Sequence, residues 1–262
     1  MVGRQRSSVL AAAYVVLVLL FLYLPVAVTV MFSFADSPRL SMPIEGLTLD
    51  WYRRAFSNPL MGVAVRNSVI LAAVSAIAAG ALGAGFAFGV IRMKSRRLRG
   101  VLLGASLLPA VIPLLVIGIS LAVAFSAIGW LQGLRSAAFG HVLVCLPFVV
   151  LTMNARLETF DFSILEAARD LGASPFRAFL DITLPIIRPS ILGAALLAAA
   201  LSLDEFVVTW FNIGSQQTLP VLVWGLVRRG VDPSINAVAS LLLFSLICLV
   251  GISNLSAWRR RR

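Results

Sequence analysis

Apolar residues along this 262-residue chain follow neither the alternation of a half-buried strand nor the one-sided stripe of a water-soluble helix. They come in long runs separated by short polar breaks. Crossing the hydrocarbon core of a bilayer takes about 20 mainly apolar residues. Six runs meet that length: 9–32, 67–91, 101–127, 137–153, 187–211 and 235–257. Lipid offers no hydrogen-bond partners to the backbone, so each run must satisfy its own peptide groups as a helix. The pattern predicts an all-α integral membrane protein: one transmembrane domain over 1–262, with six spans. Arg4 and Arg6 ahead of the first run and Ala35 after it resemble the frame of a signal peptide. The run is longer than the 7–15 residues of a signal core, so it is expected to stay as a span.

Composition agrees, with 60% apolar and 13% charged residues against roughly 25% charged in soluble domains. The net charge of +11 would suit nucleic acid only as a basic face on a soluble fold. Here the charge sits in the breaks, where it reports orientation instead. With the N-terminus inside, the inner side collects Arg4 and Arg6, the cluster Arg92, Lys94, Arg96, Arg97 and Arg99, then Arg156, Arg169, Arg177 and Arg188, and finally Arg259 to Arg262. That is roughly two-thirds of all basic residues, and both termini are therefore expected on the cytoplasmic side of a bacterial inner membrane. Cys145 and Cys248 lie in apolar runs and His141 is the sole histidine, so no disulfide framework and no metal site is expected.

Two acidic residues, Asp204 and Glu205, fall within a predicted span. A carboxylate costs about 2.5–3.5 kcal/mol to insert, and such residues usually face a bundle interior or a watery path. Counted at 1.5 Å per residue from Ser190, near the start of the apolar stretch, they stand roughly 20 Å in, in the outer third. Lining a cation path and packing against a neighbouring helix both remain open. Apart from Arg188 at the inner end of the fifth run, no basic residue lies in a predicted span, which argues against an anionic cargo. Trp210 and Trp224 offer ring faces near the outer surface, as path residues or as an interfacial aromatic belt. Gly80, Gly83, Gly85 and Gly89 have the spacing of close helix packing. His141 reads as a hydrogen-bonded helix residue, and Pro109, Pro113 and Pro147 as kinks.

Only one inner break is long. Residues 156–186 carry the marks of two short helices. Ser163 with Glu166 has the spacing of a capping box, Ile164, Ala168 and Leu171 predict one apolar face, and Gly172 a left-handed stop. Ser174 then caps a second helix with Pro175 in its first position, and Phe176, Phe179 and Leu180 form its apolar side before Leu184-Pro185 turns the chain into the fifth span. Glu158, Asp161, Glu166, Asp170 and Asp181 would be repelled by anionic lipid, so the pair is expected to dock on a cytoplasmic protein.

Glu166-Ala167-Ala168, Gly172 and Ile182-x-Leu184-Pro185 resemble, at full spacing, the EAA signature of bacterial ATP-binding-cassette import permeases. The resemblance implies a type I importer permease fold whose loop inserts into a cleft on an ATP-binding subunit. Glu166 would face that subunit, Ala167, Ala168 and Gly172 would allow close packing, and Phe176 with Phe179 would anchor the second helix. Thr48 to Tyr52, Asn67-Ser68, Ser202 to Thr209 and Arg228 to Ala237 resemble the spermidine/putrescine permeases of the C type. The family implies a permease subunit that is not itself an enzyme. It works with a dimer of ATPases that carry the ATP and magnesium, a second permease and an extracytoplasmic binding protein. No GxxxxGK[ST] sequence occurs in the chain. Asp204, Glu205 and Trp210 are the expected path residues. Iron(III) or aminophosphonate import by the same machine, and a stand-alone secondary transporter, are the alternatives.

Overall fold

A computed structural model describes residues 2–37, 44, 46–229, 233–241 and 243–244. Among these residues the chain is helical throughout, and its one extended contact is an antiparallel bridge between Ala35 and Leu47. Four helices are long and apolar enough to span a membrane, or five if one bent pair counts as a span. The sixth expected span, 235–257, and Cys248 with it lie largely outside the described residues, although helix is present over 234–241.

The chain forms two compact units, Met1–Met61 with Val223–Arg262, and Gly62–Leu222. In the first, helix α1 (Val2–Phe32) is followed by the short α2 (Asp50–Ser57). Trp51 explains the fold of that turn. Its indole N–H donates to the Ala35 carbonyl at 2.6 Å, while the Tyr52 hydroxyl meets Ser33 Oγ at 2.7 Å and its ring leans on Phe34. Both aromatic residues are amphipathic and bring a polar tip to backbone or hydroxyl groups that would otherwise be buried unpaired.

The second unit holds most of α3 (Pro59–Ile91), then α4 (Arg96–Val111), α5 (Leu114–Ala127), α6 (Leu134–Glu158), α7 (Ser163–Asp170), α8 (Pro175–Ala178), α9 (Leu184–Asp204) and α10 (Val207–Asn212). α6 is its central post: 56% of its apolar stretch is buried, against 22% for Pro175–Asp204. Small residues let the neighbours close on that post. A Cβ on Gly83 would lie 2.6 Å from Val149 Cγ1, and one on Gly80 would lie 3.3 Å from Ala195 Cβ. Gly85 and Gly89 face open space, so only half of the expected glycine stripe does packing.

Two expected spans are broken. The third bends by 96° between α4 and α5. Pro113 lacks an N–H and forces Ile112 into extended geometry (φ −73°, ψ 132°), which ends α4. The fifth stops at Asp204, and Glu205 is extended (ψ 106°) before α10 restarts. The carboxylate pair thus stands at a helix end and not inside a continuous span.

Candidate functional site

The long polar break over 156–186 is folded into the second unit. α7 closes in a Schellman motif: Ala173 N–H reaches the Ala168 carbonyl at 3.0 Å and Gly172 N–H the Arg169 carbonyl at 2.8 Å. Gly172 sits at φ +87°, a backbone conformation that favours glycine, and within this chain a Cβ added to it would meet nothing within 4 Å. Ser174 Oγ accepts from Arg177 N–H with Pro175 in the first turn, as its sequence predicts. The capping box does not form. Asp161, two residues ahead of Ser163, takes the Ser163 amide at 2.9 Å, and α7 begins without a side-chain cap of its own. The hydroxyl and amide of Ser163 hold the Asp161 carboxyl below the usual carboxylate range.

The apolar face of α7 is also shifted. Leu165 and Ala168 are buried, whereas Leu171, flipped outward beyond the helix end, is 90% exposed. Nor does Leu184-Pro185 turn the chain. Helix runs unbroken from Pro175 to Asp204 through a π-helical turn at Phe179–Thr183. Pro185 has no N–H for the carbonyl four residues back, and the wider turn immediately upstream absorbs that mismatch.

One hydrophobic core runs from the spans into this loop. Ala79 and Ala87 of α3, Met153 and Leu157 of α6, and Leu165 and Ala178 of the loop belong to it. Phe179 packs on Phe88 with ring centres 4.9 Å apart. Phe176 is 71% exposed, beside exposed Glu166, Ala167 and Gly172. Arg99 pairs with Glu158 at 2.8 Å, tying the start of α4 to the end of α6 next to the loop.

At the two helix breaks lies a cleft of about 330 Å³, lined by Ile112 and Leu114 on one side and by Asp204, Glu205 and Phe206 on the other. Breaking a helix strands amide N–H groups in the first turn after the break. Glu205 answers for one: its Oε1 accepts from Val208 N–H at 2.8 Å. Asp204 is exposed, and the partly positive start of α10 is already faced by Glu205. The cleft therefore presents negative charge on an apolar wall. Trp210 stands one ring away, 5.7 Å from Phe206.

α10 is seated tightly between α5 and α6. A Cβ on Gly140 would lie 2.5 Å from Val208 Cγ1, and one on Gly118 3.0 Å from the Phe211 ring. The Asn212 amide donates to Gly118 and Val208 carbonyls at 3.0 and 2.9 Å. His141, fully buried, meets Ser202 Oγ through Nδ1 and Thr209 Oγ1 through Nε2, each at 2.6 Å. Its hydrogen bonding is as the sequence leads one to expect; its partners are not named there, although Ser202 and Thr209, seven residues apart, have the spacing of one helix face.

Upstream, Asn67 donates to the Gln217 carbonyl at 2.8 Å and Ser68 Oγ accepts from Leu219 N–H at 2.9 Å. The Asn67-Ser68 pair thereby anchors the start of α11 (Leu219–Arg229) on α3.

Among solved structures, the same architecture occurs in a bacterial ATP-binding-cassette transporter involved in import of the acidic polysaccharide alginate, with a TM-score of 0.72 over 97% of this chain and 96% of that one. At 15% identity that likeness shows the fold alone. Among curated proteins the chain is 35% identical over 259 residues to the spermidine/putrescine transport system permease protein PotC of Escherichia coli K12, covering 98% of this chain and 96% of the relative. It is 39% identical over 247 residues to the putrescine transport system permease protein PotI of the same strain (91% and 85% covered), and 34% identical over 244 residues to PotC of Haemophilus influenzae (93% and 94%). These relatives are transport permeases and not enzymes. The family profile described as the inner membrane component of binding-protein-dependent transport systems matches residues 79–261, which take in the folded loop, the cleft and α10; the chain belongs to that family.

Proposed function

We infer that this chain is a membrane-spanning permease subunit of an ATP-binding-cassette importer that moves polyamines into the cytoplasm by alternating access. The observation that carries the cargo is the Asp204-Glu205 pair opening on an apolar cleft where two broken helices meet. A polyamine is a flexible chain of ammonium groups spaced by methylenes. Carboxylates attract the former, and Ile112, Leu114 and Phe206 suit the latter. That chemistry agrees with the polyamine names of the relatives.

Six spans with both termini cytoplasmic, in one permease domain over 1–262, complete the reading. The loop docks on one subunit of an ATPase dimer, which carries the ATP and magnesium. Exposed Leu171 and Phe176 support this, since burying each would contribute about 1.5–3 kcal/mol that the isolated chain forgoes. Glu166, Ala167, Gly172 and Ser174 flank them on the same loop, and Ala168, Phe179, Leu184 and Pro185 join the loop to the spans. A second permease forms the other half of the pore, and a soluble binding protein delivers cargo from outside. In cells lacking their own polyamine importers, the four-component system should take up labelled putrescine or spermidine, and Glu166→Ala should abolish uptake while ATP hydrolysis continues. An assembled, ATP-hydrolysing complex that moves neither polyamine refutes the cargo; full uptake by Glu166→Ala refutes the coupling role.

A further inference from the structure

The break between α9 and α10 is a weak point. Its two helices share no backbone ladder, yet α10 carries the cap that orients Glu205. One chain of side chains crosses the gap. Thr209 Oγ1 donates to the Glu205 carbonyl at 2.8 Å, and a carbonyl can only accept, so the one hydroxyl proton of Thr209 is committed. His141 Nε2 must then be the donor to Thr209. In a neutral ring Nδ1 is left as acceptor, so Ser202 donates to it, and Ser202 in turn accepts from Ser75 at 3.2 Å. Every proton has one place, and the polarity runs in a single direction from α3 through α9 and α6 to α10.

We propose that His141 is a positioning residue: with Ser75, Ser202 and Thr209 it forms a clasp that fixes α10 against α9 and so sets the place of Asp204 and Glu205 at the cleft. The statement about the cleft rests on the proposed cargo path, whereas the clasp stands on its geometry. The ring is fully buried between hydrogen-bond partners on two helices, α9 and α10, and Gly140, its neighbour in sequence, brings α6 against Val208 closely enough for the imidazole to span both ends of the break. Packing alone would not call for an imidazole there. A leucine fills similar space but leaves the buried hydroxyls of Ser202 and Thr209 without their ring partner.

The test uses the assembled importer in lipid nanodiscs, with hydrogen exchange at the amides of residues 207–210 and putrescine uptake kinetics in vesicles as separate readouts. His141→Leu and Thr209→Val are each expected to speed exchange at those amides at least about tenfold, and to raise KM for putrescine about tenfold with a smaller change in maximal rate. His141→Gln, which keeps one acceptor and one donor, restores both toward wild type. Unchanged exchange in the Leu and Val variants overturns the clasp. Failure of Gln to restore exchange overturns its hydrogen-bonded basis. Faster exchange with an unaltered KM overturns the positioning of the acidic pair. Should the wild-type complex not import putrescine at all, the cargo reading fails while exchange still decides the clasp.

Discussion

Replacing Glu205 separates two things its carboxylate does. It caps α10 through Val208 N–H at 2.8 Å, and it adds negative charge to the cleft. Glu205→Gln keeps an oxygen acceptor of the same reach and removes the charge; Glu205→Ala removes both. Loss of a helix cap costs about 1–2 kcal/mol, so the alanine variant should melt a few degrees below wild type, and the glutamine variant should not. Under the proposed function, the charge acts on the cargo. An ammonium group 4 Å from a carboxylate gains about 4 kcal/mol at an effective dielectric of about 20, and about half that in a cleft open to water. At 1.36 kcal/mol per tenfold, even the lower value raises KM for putrescine about 30-fold in the glutamine variant. The assay is labelled uptake into vesicles holding the four-component complex, with thermal unfolding of the same preparation alongside. A glutamine variant with wild-type KM refutes the role of charge. An alanine variant as stable as the glutamine one refutes the cap.

Other outcomes follow from the loop. Gly172 holds φ +87° with open space around it, so Gly172→Ala meets no clash and costs about 1–2 kcal/mol through the left-handed backbone alone; substrate-stimulated ATPase activity of the complex should fall, and unchanged stimulation would show that the turn is not needed for coupling. Asp161 titrates below its ordinary 3.8 because Ser163 bonds its charged form. A depressed folded value means that its contribution to stability is present above the unfolded value and is lost as pH falls through the folded one. The difference in melting temperature between wild type and Asp161→Ala should therefore hold at neutral pH and close below about pH 3.8; a difference that persists in acid would contradict the assignment.

Much of this was legible because a bilayer allows so few solutions. Long apolar runs dictate the helical class, and the Ser174-Pro175 and Gly172 signals are local chemistry that tertiary structure does not override. What stayed hidden was non-local or a contest between neighbours. Asp161, only two residues away, takes the Ser163 amide that a capping box would give to the Glu166 side chain. Pro113 announced a kink, but not one near a right angle. No breaker residue marks Glu205-Phe206; beyond the break α10 fits closely against Gly118 and Gly140, residues far away in the chain. The partners of His141 lie 61 and 68 positions off, beyond any spacing rule.

The unbroken helix from Pro175 to Asp204 has 30 residues, which at 1.5 Å each makes a lever about 45 Å long. Exposed Phe176 stands near one tip and Asp204 is the other. Tilting it by about 10° around its midpoint swings each tip by about 4 Å, close to the size of an ammonium group. Were the helix to move as one body, a push on the loop would shift the acidic pair without any relay of side chains in between.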